Sequence, residues 1–173
     1  MVIEAKSDIN VKDWIKLSSI MIGALLTILA LIWQFRPANG IITVTFLMMI
    51  AFILFINSVS GNSRARFEAE IGTSAIKVNR FVRFAEYTFG LGMTFIIISF
   101  SILGYQYLSD FTNRNIIALI LPIVFNVTAW ILLIIYNGIG KSIINLKRYL
   151  WVLIELGCLI LIGLDYFQVF SIP

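Results

Sequence analysis

The amino-acid sequence predicts an all-α integral membrane protein, a bundle of five transmembrane helices, on three observations. The 173 residues are 60% apolar and 13% charged at a mean hydropathy of +0.98, whereas water-soluble chains run at roughly 45–50% apolar and about a quarter charged. Five windows of roughly 20 predominantly apolar residues recur along the chain, the length a helix needs to cross about 30 Å of hydrocarbon. These windows lack the period-two alternation of barrel strands, which leaves the helix as the way to satisfy backbone amides in lipid.

The first helix is expected from about Ile15 to Phe35, bracketed by Trp14 and Trp33, whose indoles favour the two membrane interfaces. No small-residue cleavage site follows its apolar run and a second span comes at once, so it is expected to stay in the mature chain rather than leave as a signal peptide. Ser19, Gly23 and Thr27 recur at i, i+4 and i+8, a helix-packing seam within the chain or between copies. Pro37 and Gly40 punctuate the turn over 36–40, and the second helix is expected from Ile41 to Ser58.

The Gly61-Asn62-Ser63 triplet is expected to break the chain, followed by a short cytoplasmic amphipathic helix over 64–83. Phe67, Ile71, Ala75, Val78 and Val82 recur at spacings of three and four, with Arg66, Glu70, Lys77 and Arg80 mostly on the other face and an Arg66/Glu70 pair at i,i+4. It reads as a connector resting among headgroups or as a docking site for a partner protein.

The third helix is expected from Phe84 to Tyr105, anchored by Tyr87 and Tyr105, with Arg83 and Glu86 as an interfacial ion pair one turn apart and Gly90 and Gly92 as a second packing seam. A small polar loop over 106–115 leads to the fourth helix, Ile116 to Tyr136, in which Pro122 deprives the carbonyl of Ala118 of its usual donor. The fifth runs from Leu150 to Phe170 between Trp151 and Tyr166, with Cys158 as a small core residue.

A shift of 67 residues lays Trp14 to Ser18 over Phe81 to Ala85, Gly23 over Gly90 and Thr27 over Thr94, and the exits Asn57-Ser58-Val59-Ser60 and Asn137-Gly138-Ile139-Gly140 resemble each other. Two parallel helical hairpins plus a fifth helix would follow. Interfacial bases, aromatics and small residues are common to any two membrane helices, so the duplication stays one of two readings.

Orientation follows from the basic residues. Lys6, Lys12, Lys16, Arg64, Arg66, Lys77, Arg80, Arg83, Lys141, Lys147 and Arg148 share one side under five spans, and Arg36 and Arg114 fall on the other. Short loops rich in Lys and Arg stay inside, so the amino terminus is expected in the cytoplasm and the carboxyl terminus outside. The net charge of +4 then reads as a topology signal, and dispersed bases without a binding motif argue against nucleic acid.

Within these residues there is no histidine, which excludes imidazole-ligated haem, His-containing zinc and a Ser-His-Asp relay. The carboxylates give no facing aspartate pair for intramembrane proteolysis, and no Gly-rich phosphate loop is present. No enzyme, cofactor or metal site is therefore expected.

The residues that stand out are polar ones inside spans. Glu155 lies five residues past Leu150, roughly 8 Å into the fifth helix at 1.5 Å per residue. A carboxylate there is expensive to leave in lipid, so it is expected to face protein or water and to serve either as a cation or proton site or as a tie to Arg148 or Arg83. Asn126 and Thr128, beside Pro122, read as the lining of a hydrated path or as interhelical glue, and Thr94 joins them as a candidate lining residue. Asp165 is expected near the outer end of its helix as a solvated acid.

Three functions fit: a homo-oligomeric channel or transporter-like pathway for ions or a small solute, a non-catalytic accessory or assembly subunit of a larger membrane complex, and a lipid-binding protein with an acyl chain between its helices. The lipid bilayer and further copies of the chain are the expected partners.

Overall fold

A computed structural model describes residues 2–35, 39–139 and 146–173, with side chains described from residue 11 onward except at 133 and 136–149. The described chain is all-helical. Five helices follow in order: α1 (Val2–Gln34), α2 (Ile41–Glu70), α3 (Ala75–Phe111), α4 (Ile117–Ile139) and α5 (Leu146–Tyr166). Three of them, through Val11–Gln34, Ile41–Glu70 and Ala75–Phe111, are long and apolar enough to cross a membrane, which points to a membrane location. Large apolar side chains such as Ile42, Phe46, Ile120, Leu132, Leu153 and Ile160 stand exposed, which is consistent with a membrane location.

Each expected span lies within or along one helix, and the boundaries differ for identifiable reasons. α1 starts well before Ile15, and α5 ends at Tyr166 rather than Phe170. There Val169 N–H reaches Leu164 O at 2.9 Å and Gln168 turns left-handed at φ 60°, closing the helix and sending the chain back on itself.

The largest correction concerns 61–83. The Gly61-Asn62-Ser63 triplet does not break the chain: α2 runs through it to Glu70, α3 begins at Ala75, and the separate amphipathic helix over 64–83 does not exist. Helix penalties of Gly, Asn and Ser total only a few kcal/mol at most, which tertiary packing overrides. At Gly61 a Cβ would meet Phe84 Cδ1 at 3.0 Å and the Cβ of Ala85 at 3.1 Å, so the missing side chain is what lets α3 lie close. The true stop is Gly72, at φ 73°, where Thr73 N–H bonds Glu68 O and Gly72 N–H bonds Ala69 O in the paired pattern of a left-handed helix cap. Ser74 O then accepts from Lys77 N–H and opens α3. Asn57 to Ser60 consequently sits inside α2 and is no helix exit, while the turn at 36–38 and Gly140 lie outside the described residues.

The chain forms two compact units. The first comprises 1–31 with 49–93, the second 32–48 with 94–173. In the first unit Ser18 and Ser58 share a 3.2 Å hydrogen bond, and Phe89 meets Trp14 and Phe55 edge to face. In the second, Thr43 donates to Pro173 O through both its amide and its hydroxyl.

Candidate functional site

In the second unit three helices turn a polar stripe inward. Thr94, Ser101 and Tyr105 recur on one face of α3 at intervals of seven and four. Pro122, Asn126 and Trp130 do so on α4 at intervals of four, and Glu155, Cys158, Ile162 and Asp165 on α5 at intervals of three and four. The stripes meet in three polar layers.

The first layer holds Glu155, which is 4% exposed. Trp130 donates its indole N–H to Glu155 Oε2 at 2.6 Å, and the hydroxyl of Thr94 bonds the same carboxylate. Neutral donors from two other helices satisfy the acid, where a cation was one expectation. Arg83 is exposed, and the side chain of Arg148 lies outside the described residues. Among the described residues no cation comes within ion-pair distance of Glu155. Hydrogen bonds of this kind stabilise a buried carboxyl while leaving its charge uncompensated.

Asn126 forms the second layer, fully buried, with Nδ2 donating at 2.7 Å both to Ser101 Oγ and to the carbonyl of Pro122. Its Oδ1 is buried and has no partner among the described residues. Thr128 does not join it. Two residues along a helix is roughly 200° around the axis, so Thr128 is exposed and returns its hydroxyl to Val124 O at 2.8 Å.

Asp165 anchors the third layer and corrects a further expectation. It is 4% exposed rather than solvated, accepting the Tyr105 hydroxyl at 2.7 Å on Oδ2 and the Ile172 N–H at 2.8 Å on Oδ1. Tyr105, expected at the interface, is wholly buried because this carboxylate gives its hydroxyl a partner inside.

Other expected residues scatter. Arg83 and Glu86 are both exposed and form no ion pair among the described residues, where Arg66–Glu70 is present at 2.8 Å as its i,i+4 spacing implies. The seam Ser19, Gly23 and Thr27 faces outward: beyond its chain neighbours and its own helix backbone, no described atom lies within 4 Å of the Cβ position of Gly23, and both hydroxyls bond their own helix. Gly92 packs, with Phe55 ring atoms from 3.1 Å of its Cβ position, and Gly90 is half-buried beside it. Cys158 is buried, as expected of a core thiol.

Sequence reasoning missed Trp130, Ser101 and Tyr105 as members of the seam. Their signal was the i+4 step from Asn126 to Trp130 and the shared face of Thr94, Ser101 and Tyr105, legible once Glu155 is given a direction to face. It also missed Glu68, whose side chain is only 1% exposed and which takes Arg64 at 2.6 Å, Lys77 at 2.9 Å and the Thr73 hydroxyl at 2.8 Å. No group of three or more His, Cys, Asp or Glu side chains among the described residues is placed to hold a metal ion. In comparisons with family models, curated proteins and solved structures, nothing matches the chain.

Proposed function

We propose that this chain is a five-span membrane protein, amino terminus in the cytoplasm and carboxyl terminus outside, that self-associates and provides a pathway for ions or a small solute, with Glu155 as its central polar station and Thr94 and Asn126 along the same route. The observation that carries the reading is Glu155 itself, a buried carboxyl met by neutral donors with no cation beside it among the described residues. Such a group retains its attraction for a mobile cation or a proton, and an ionisable side chain at membrane depth is by default a candidate for an ion or proton path. The Asn126 layer and the Asp165 layer extend the polar line along the same three helix faces. Five helices leave little interior for a wide aqueous route, so a pore would be built from several copies, and the outward Ser19/Gly23/Thr27 face is available for that packing.

The accessory-subunit reading has its own support. Both Asp165 oxygens, the Asn126 amide and Glu155 Oε2 already take partners within the unit, which is how residues that tie helices together behave. Glu155→Gln and Glu155→Leu in reconstituted liposomes separate the two. A pathway predicts intact assembly and altered flux for Glu155→Gln. Wild-type flux in Glu155→Gln, or an absence of any ion or solute flux in the parent protein, removes the pathway and leaves the structural reading.

A further inference from the structure

The elbow where α2 turns into α3 carries a cavity of about 630 Å³, within the size range of small-molecule sites. Arg64, Lys77 and Arg80 line it on the polar side, Phe81 and Phe84 on the apolar side, and Gly61 leaves its wall without a side chain. Two of the cations are held in place. Glu68 lies beneath them with its carboxylate buried, 2.6 Å from Arg64 and 2.9 Å from Lys77, and the guanidinium of Arg64 sits 5.2 Å over the Phe67 ring. One carboxylate against two cations leaves a positive surplus. Arg80, exposed and without an acid partner among the described residues, adds to it.

We propose that this elbow binds an anionic phospholipid, its phosphate held by Arg64, Lys77 and Arg80 and its acyl chain laid against Phe81 and Phe84. The charge identifies the head and the phenyl rings identify the tail. A free phosphate ion uses the cations and leaves two aromatic walls wet, whereas an amphiphile covers both halves of the cavity. The position agrees: the elbow follows the apolar stretch of α2 and precedes that of α3, at headgroup level in a bilayer, and Ile71 and Ile76 stand exposed around it. Basic pockets between helices at that level are the form anionic headgroup sites take.

The experiment is native mass spectrometry of the full chain in mild detergent, offered phosphatidylglycerol and phosphatidylcholine of identical acyl chains in equal amounts. Phosphatidylglycerol is expected to be retained at least about tenfold over phosphatidylcholine, since each cation near an anionic headgroup contributes roughly a fivefold preference. Arg80→Gln, chosen because Arg80 is not tied to Glu68, is expected to lower that preference about fivefold, while Arg83→Gln, one turn along the same helix but outside the cavity, is expected to lower it less. Millimolar inorganic phosphate is expected to leave the lipid bound. Equal retention of the two lipids, equal effects of Arg80→Gln and Arg83→Gln, or displacement by inorganic phosphate would overturn the proposal. The last outcome would reassign the cavity to a free anion, and the competition needs no variant.

Discussion

Trp130 and Glu155 stand 25 residues apart in sequence and 2.6 Å apart in space, the indole nitrogen donating to a carboxylate oxygen and joining α4 to α5. Thr94 brings α3 to the same carboxylate, so one acid holds three helices of the second unit together. The tie and the proposed transport station therefore coincide in one residue, and substitutions that keep its hydrogen bonds while removing its charge tell the roles apart.

Glu155→Leu leaves the indole N–H and the Thr94 hydroxyl without their acceptor, and we expect a stability loss of about 1–3 kcal/mol, the penalty for stranding buried donors. Glu155→Gln keeps an acceptor oxygen and should lose less than about 1 kcal/mol; Trp130→Phe keeps the ring and should fall between. Reversible unfolding in mixed micelles ranks the three. Equal losses for Leu and Gln would show that these hydrogen bonds contribute nothing to holding the helices.

The Asn126–Ser101 bond at 2.7 Å is a further interhelical tie. A double-mutant cycle with Asn126→Ala and Ser101→Ala should return a coupling of about 0.6 kcal/mol, the typical value for such bonds in membrane proteins, with about 1.7 as the ceiling. Additive single effects would mean that the two side chains do not act as a pair.

Two glycines should respond in opposite ways. At Gly61 a new Cβ lands 3.0 Å from Phe84 and 3.1 Å from Ala85, so Gly61→Val should lose about 1–3 kcal/mol through overpacking. Gly23 has open space around its Cβ position, and Gly23→Ala should be neutral or gain up to about 1 kcal/mol from helix propensity. Mass photometry on Gly23→Leu adds the assembly test. A smaller particle supports packing of copies on this face, and a persistent monomer in both proteins removes the multimeric pore.

Reporter insertions at Gly72, in the turn between α2 and α3, and after Pro173 should report opposite sides of the membrane, the Gly72 site cytoplasmic. The turn is the right place because Asn62, within the break expected from sequence, is buried inside α2. Two reporters on one side would show that the basic residues misassign a span.

Much of this protein was legible locally. Helical class and apolar windows follow from hydropathy summed over short stretches, which needs no knowledge of neighbours. The Arg66–Glu70 pair was legible because i,i+4 spacing brings side chains together in any helix, and its 2.8 Å contact is a property of α2 alone. That Glu155 must face inward was legible too, since lipid offers a carboxylate nothing.

What a sequence by itself determines here is thus the set of helices and the obligation of each buried polar group to find a partner; the partners themselves were decided by tertiary structure. Glu155 could have been met by a cation and is met instead by Trp130 and Thr94, from helices whose rotation no local pattern states. Tyr105 and Asp165 are residue types equally at home at an interface, and only their meeting at 2.7 Å takes both inside. At Gly61 a local break signal lost to the close approach of α3. The physical reason is common to all three: propensities are worth about 1 kcal/mol per residue, and packing and desolvation between distant segments outweigh them.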